Sequence, residues 1–321
     1  MKGPLVDIQD LKTYFYTDEG VVKAVDGVSI TIERGDIFGI VGESGCGKST
    51  LALSILRLVP RPGKIVGGKI IFDGENLLEK SENEMRKIRG RKISIVFQDP
   101  TEFFNPVFTV GGQIAEAMKL HQSIKRSNIE TRIIELLRSL GFPSPEIMMK
   151  RYPHEYSGGM KQRAMIAMAL SCQPELLIAD EPTTSLDVTV QAQILDLLRS
   201  VKEKFATTIL LITHNLGVVA EMCNKVAVMY AGKIVECSDV FTVFKKPLHP
   251  YTQALLDSIP RVDIEQRELK SIPGRVPDLT NIPNCCRFHG RCKYEMDVCR
   301  KEDPPLINVR DGHTVSCFLY C

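Results

Sequence analysis

Residues 42 to 50 read Gly-Glu-Ser-Gly-Cys-Gly-Lys-Ser-Thr, a spacing of glycines, one lysine and three hydroxyls that suits the binding of phosphate groups. Glycines let backbone N–H groups curl around an anion, and a helix that follows turns the positive end of its dipole toward it. Gly42, Ser44, Gly45, Cys46 and Gly47 form the cradle in this pattern. Lys48 reaches the outer phosphates, and the hydroxyls of Ser49 and Thr50 follow, Ser49 as a ligand to Mg²⁺. Further on, the run LLIAD ends in Asp180, positioned like the acid that holds Mg²⁺ at the end of a strand. Glu181 comes next, a carboxylate that can polarise water for attack on a terminal phosphate. The chemistry these residues suit is hydrolysis of a nucleoside triphosphate.

Such groups need strands and helices to aim them. FGIV runs into the glycine loop as a strand, and TLALSILRLV leaves it with the apolar spacing of a helix. Residues 21 to 41 read as short strands joined by turns at Asp-Gly and Arg-Gly, and KIIFDGENL as a strand and turn. From about 107 to 170 the apolar positions recur at helical period, broken by Pro143, Pro145 and Pro153. Strand-like LLIAD, TTILLIT and VAVMY then alternate with helix-like VQAQILDLLRSVKEKF and LGVVAEMC, the pattern of a parallel sheet with helices packed on it. The expected fold is α/β, with a nucleotide-binding domain over 1–255, a helical subdomain at about 100–170, and a separate small extension over 256–321.

Composition excludes several classes. The 321 residues are 44% hydrophobic and 25% charged with a formal net charge of +2, an ordinary globular balance without the basic stripe of a nucleic-acid binder. No stretch approaches the ~20 apolar residues needed to span a bilayer, and the N-terminus lacks a signal-like apolar region. The chain is expected in the cytosol, at a membrane only if a partner holds it there. Of its 10 cysteines, Cys285, Cys286, Cys292, Cys299, Cys317 and Cys321 fall in the last 37 residues. In a reducing compartment such a cluster reads as a metal site sooner than as disulfides.

Tyr156 to Arg163, YSGGMKQR, resembles the signature motif of ABC ATPases, and the other elements of that family follow in order. Gln98 in VFQDP looks like its Q-loop, Ser185-Leu186-Asp187 like its D-loop, and His214 in LLITHN like its switch histidine. The family has Leu more often than Tyr at position 156. The resemblance implies the P-loop ABC-type fold, ATP as substrate, and catalytic roles for Glu181, His214 and Gln98, with Ser49, Gln98 and Asp180 on Mg²⁺. It also implies that Ser157, Gly158, Gly159 and Asp187 face the nucleotide of an opposite cassette. Phe15 is positioned to stack on adenine.

Three stretches, VGESGCGKST, HEYSGGMKQRAMIAMAL and KPLHPYTQALLDSIP, are similar to the ATPases of dipeptide and oligopeptide permeases. Proline and histidine in the last of them, taken alone, mean only a turn before a helix. The permease resemblance implies pairing with a second ABC ATPase as a heterodimer, and docking of the region around 100 to 150 onto two integral membrane subunits. It further implies an extracytoplasmic peptide-binding protein, a place on the cytoplasmic face, and no nucleic acid. The run Cys286-x5-Cys292-x6-Cys299-x17-Cys317 matches the tail of that family. Four thiolates suit a [4Fe–4S] cluster or Zn²⁺, and the lack of a C-x2-C pair favours the cluster, with Cys285 and Cys321 as spares. The alternatives are a nickel-import ATPase, a soluble ABC ATPase of iron–sulfur assembly or DNA repair, and a metal-binding regulator that binds nucleotide without turnover.

Overall fold

A computed structural model describes residues 3–122, 124–184, 186–259, 272–280, 282–310 and 312–321. Ser185 and the end of the HPY stretch at Pro260 lie outside the described residues. The chain divides into two compact units, one of residues 1–78 and 211–321, the other of 79–210.

The first unit opens with β1 (Val6–Thr17), β2 (Gly20–Ile32), β3 (Ile37–Val41), β4 (Gly63–Phe72) and β5 (Glu75–Asn76). The second holds β6 (Ile93–Val96) and β7 (Leu176–Asp180), and β8 (Thr208–Thr213) crosses the division. The first unit then resumes with β9 (Lys225–Tyr230), β10 (Lys233–Asp239), β11 (Ile307–Arg310) and β12 (His313–Val315). β3, β7 and β8 are buried at every residue. That is why they read as unbroken apolar runs and not as alternating ones.

In the first unit β2, β1, β4 and β5 make one antiparallel sheet. The Asp26-Gly27 pair does not turn the chain as its sequence suggests. β2 continues through it for thirteen residues, and the register against β1 skips Gly27 between Leu11↔Val28 and Lys12↔Asp26, which is a bulge. Asp73-Gly74 does make the expected turn, with φ of 50° and 82°. A second set of strands runs from β3, parallel to β9, through β10 to β12 and β11.

In the second unit β6 and β7 pair in parallel, as the strand–helix alternation predicts. Around them stand the helices Val110–His121, Arg126–Ser139, Gly158–Leu170 and Val188–Phe205. The prolines fall where helices stop or start: Pro145 opens a short helix and Pro153 a 3₁₀ turn.

Among the described residues, the C-terminal segment packs into a shared core. Cys286, Phe288 and Cys299 join one buried cluster with Val228, Tyr230 and Tyr251, and β12 extends the strands at β10. Glu236, fully buried on β10, fixes the junction. Its carboxylate accepts from the N–H groups of Leu248 and His249, each at 2.8 Å, and lies 2.8 Å from Nε2 of His313 on β12. His249 caps the helix Pro250–Asp257, its Nδ1 accepting from the N–H of Tyr251 at 3.0 Å, with Pro250 in the first turn. The turn before a helix that proline and histidine imply is therefore present.

Burial pushes the His249 imidazole down to about 3 from its ordinary 6.5, so the fold keeps it neutral. Below pH 6.5 the unfolded chain takes up a proton that the folded chain refuses, and stability falls by up to about 1.4 kcal/mol per pH unit from this group. His249→Asn, which keeps a helix cap, is expected to remove about one proton from the slope of unfolding free energy between about pH 6 and 5, measured by urea denaturation at stepped pH.

Candidate functional site

The glycine loop lies between β3 and the helix Lys48–Ile55, so the strand–loop–helix unit is formed. Two backbone approaches dictate its glycines. A Cβ on Gly47 would lie 2.0 Å from the Ala24 carbonyl oxygen, and its φ of +105° lies in the left-handed region. A Cβ on Gly42 would lie 2.1 Å from the carbonyl oxygen of Met229. No side chain fits in either gap. Lys48 is buried, and its ammonium donates to the carbonyls of Gly42 at 2.8 Å and Glu43 at 3.0 Å. Ser44, Gly45 and Ser49 are exposed along the rim. Cys46 is fully buried beneath the loop, and burial pushes its thiol up, opposed by the charge of Lys48. The Cys46 side chain packs beneath the loop.

Phe15 pairs with Val22 of β2 and Gly63 of β4 and lies directly over Gly63. The hydroxyl of its neighbour Tyr14 donates to Asp26 at 2.6 Å. Also in the first unit, His214 is exposed immediately after β8, followed by Asn215, whose side chain caps the helix Leu216–Met222.

The second unit brings together three polar side chains. Glu181 follows buried Asp180 at the end of β7, and its φ of +47° lies in a region that a non-glycine residue enters at a cost. Its Oε2 accepts from the Thr184 hydroxyl at 2.9 Å and lies 3.4 Å from the amide nitrogen of Gln98. Strain held at one carboxylate, with a hydroxyl and an amide aimed at it, fits a carboxylate positioned for use. Thr184 was not foreseen, although its place three residues after Glu181 is the signal that points to it.

Also in the second unit, Ser157 caps the helix Gly158–Leu170, its hydroxyl accepting from the Met160 N–H at 3.4 Å. Ser157 and Gly158 are exposed, so the start of this helix is open to an anion. Gly159 is needed for packing, since a Cβ there would meet Val190 at 2.7 Å. Asp187 caps the next helix, accepting from the Val190 N–H at 2.9 Å. The unusual Tyr156 is buried, donates to the Met148 carbonyl at 2.7 Å and meets Phe142 edge-on, which a leucine cannot do.

The tail cysteines are only partly drawn together. Among the described residues no group of three or more His, Cys, Asp or Glu side chains is arranged to hold a metal ion. The expected four-thiol set is thus not assembled as ligands. The thiols are near one another all the same: burial first, then the charges of Cys299, Cys317 and Cys292, push Cys286 up to about 12.

The sequence reading missed the residues that hold the loop from outside it. Arg291 in the tail makes a two-pronged ion pair with Glu43, at 2.7 and 3.0 Å, and the Tyr251 hydroxyl accepts from the Glu43 N–H at 2.9 Å. Neither lies near Glu43 in sequence.

Residues 25–184 match the ABC transporter family and residues 235–299 the oligopeptide/dipeptide transporter C-terminal region. The chain is 52% identical over 98% of its length to the "Probable peptide ABC transporter ATP-binding protein y4tR" of Sinorhizobium fredii, covering 94% of that protein. It is 49% identical to the oligopeptide transport ATP-binding protein AppD of Bacillus subtilis, over 98% of this chain and 97% of that one. Against the dipeptide transport ATP-binding protein DppD of Escherichia coli the identity is 45%, over 98% and 96%. Among solved structures, a dimeric post-hydrolysis state of the ATP-binding cassette MJ0796 with ADP and phosphate superimposes with a TM-score of 0.66 at 25% identity, covering 73% of this chain and 98% of that one.

Gly47→Ala is expected to abolish nucleotide binding while leaving a folded protein, because the added methyl displaces the loop from Ala24. Calorimetric titration with Mg·ADP and a circular dichroism spectrum check the two halves of that outcome.

Proposed function

The chain belongs to the ABC transporter family, in its oligopeptide/dipeptide branch, and from that premise we propose that it is the ATP-hydrolysing subunit of an importer of dipeptides or oligopeptides. It is an ATPase of the ABC class. The observation that carries the peptide reading is the match of residues 235–299 to the oligopeptide/dipeptide C-terminal region alongside the cassette match. Relatives named for peptide, dipeptide and oligopeptide transport support it over nickel import, iron–sulfur assembly or DNA repair.

In this reading the N–H groups of the Gly42–Thr50 loop and the Lys48 ammonium bind the phosphates, with Phe15 against the adenine. Ser49, Gln98 and Asp180 all offer the hard oxygen donors that Mg²⁺ prefers, and would hold it. That ion supplies charge neutralisation on the outer phosphates. Glu181, held by Thr184 and Gln98, accepts the proton of the attacking water. His214 steadies the terminal phosphate. The exposed Ser157-Gly158 helix start and Asp187 face the nucleotide of a second, similar ATPase, so that two cassettes close on two ATP molecules. Val188, 83% exposed beside Asp187, suits burial in such a pairing.

No helix among the described residues is long and apolar enough to cross a membrane. Two membrane permease subunits and an extracytoplasmic binding protein complete the importer, with this chain on the cytoplasmic face. A groove lined by Gly111, Ala115, Ile129, Ile133 and Met149 suits a short helix of a permease subunit. Glu181→Gln is expected to bind Mg·ATP as the wild type does, lose on the order of 10²-fold in kcat, and abolish uptake of radiolabelled dipeptide in cells carrying the whole transporter. Near-normal hydrolysis would remove Glu181 from its role. Normal hydrolysis by the wild type without peptide uptake would remove the cargo assignment alone.

For the tail, the [4Fe–4S] reading, with Zn²⁺ as its alternative, rests on the donor set of Cys286, Cys292, Cys299 and Cys317. Burial first, and then neighbouring thiols, push Cys286, Cys292 and Cys317 up, and thiols so placed ionise readily only against a compensating cation. Anaerobically purified protein is expected to carry iron and acid-labile sulfide near four per chain, lost in Cys292→Ser. Zinc, or no metal, would overturn the cluster.

A further inference from the structure

Glu43 occupies the phosphate loop itself, one residue after Gly42, and each of its polar groups is taken. The N–H donates to the Tyr251 hydroxyl at 2.9 Å. The carbonyl accepts from the Lys48 ammonium at 3.0 Å and from the Cys46 N–H at 3.3 Å. The carboxylate accepts both prongs of the Arg291 guanidinium, at 2.7 and 3.0 Å. Arg291 is itself held firmly. Its side chain is 6% exposed, its Nε donates to the Pro273 carbonyl at 2.8 Å, and its Cζ lies 5.7 Å from the ring centroid of Tyr230 and 5.9 Å from that of Phe288.

A second arginine of the same segment braces the loop from beneath. Arg287 is nearly buried and bonds both Asp26 and the carbonyl of Ala231. The next residue, Gly232, donates its N–H to the Cys46 carbonyl at 2.8 Å and accepts from the Asp26 N–H at 2.8 Å. The loop is thus gripped at Glu43 by side chains more than 200 residues away in sequence, and at Cys46 by the backbone N–H of Gly232.

We propose that Arg291 is a positioning residue for ATP: it neutralises the Glu43 carboxylate and fixes its direction, so that the loop and Lys48 meet the phosphates in one conformation. A carboxylate one residue from a phosphate cradle opposes an anionic ligand unless it is paired, and buried bidentate pairing with arginine is the strong form of that pairing. Removing the arginine leaves Glu43 charged, freed from its direction and close to the phosphates. By reciprocity, nucleotide binding favours the tail conformation in which Arg291 is seated.

The proposal rests on the phosphate loop as the ATP site, which Gly47→Ala tests separately, and it is independent of the cargo. The experiment is steady-state Mg·ATP hydrolysis by the purified full-length chain and its Arg291→Gln, Arg291→Lys, Glu43→Gln and double Glu43→Gln/Arg291→Gln variants, each with its thermal midpoint. Arg291→Gln is expected to raise KM for Mg·ATP about tenfold with kcat within about twofold. Arg291→Lys, which keeps the charge without the fork, should fall between it and the wild type. The double variant should have the lower KM of the two Arg291→Gln proteins, because the unpaired carboxylate is gone. A KM change below twofold in Arg291→Gln overturns the proposal, as do effects of the two single changes that multiply in the double variant. Should Arg291→Gln fail to fold, a wild-type KM in Arg291→Lys overturns it equally.

Discussion

Between β3 and the helix Lys48–Ile55 the backbone has to curl tightly enough for its N–H groups to converge on an anion, and it does so against two other backbones. The carbonyl of Ala24 on β2 stands where a Gly47 side chain would be, and the carbonyl of Met229 on β9 where one on Gly42 would be. Those contacts need β2 bulged at Gly27 and β9 paired in parallel with β3. The phosphate loop is therefore not a flexible glycine stretch. It is a shape pressed into place from two sides, and its rigidity lets Lys48 remain buried with its charge directed at the loop carbonyls. A preformed anion site avoids an ordering cost at the moment of binding.

The C-terminal segment belongs to that same constraint. It is too poor in apolar residues to fold alone, so it lends Phe288, Cys286 and Cys299 to the cluster around Tyr230 and Tyr251 and an edge strand to β10. Sharing that cluster ties its arginines to the loop. A separately folded appendage would have no reason to send Arg291 to Glu43. Here the segment is fastened by buried polar contacts, Glu236 with His313 and Arg287 with Asp26, that lose their partners if it detaches. The nucleotide loop and the thiol-bearing tail are thus parts of one packed body.

The cassette residues were legible in the sequence because each is fixed by local chemistry. A glycine is needed where a backbone closes in, a hydroxyl or carboxylate where a helix begins, as at Ser157 and Asp187, and an apolar run where a strand is covered on both faces, as in LLIAD and TTILLIT. Asp26-Gly27 misled because a bulge and a turn ask for the same residues, and only the pairing of β2 with β1 tells them apart. The run after the loop read as a helix through Val59, but the helix ends at Ile55. Arg57 takes a positive φ and Pro60 follows, so apolar spacing persists beyond the point where the backbone can continue.

The sequence by itself determined the fold class and the order of the nucleotide-binding motifs, since both are carried by residues within a few positions of one another. Only the tertiary structure decided that Glu43 is held by Arg291 and Tyr251, that Thr184 and Gln98 converge on Glu181, and that the tail shares the core of the first unit. Apart from Thr184, which lies three residues after Glu181, those side-chain contacts join residues from 83 to 248 positions apart. No periodicity encodes such separations, because they are set by how strands stack and not by the rise of any one element. The tail thiols show the same limit from the other side: their spacing suggested a ligand set, but whether four sulfurs face one point depends on the path of the backbone between them, which spacing does not specify.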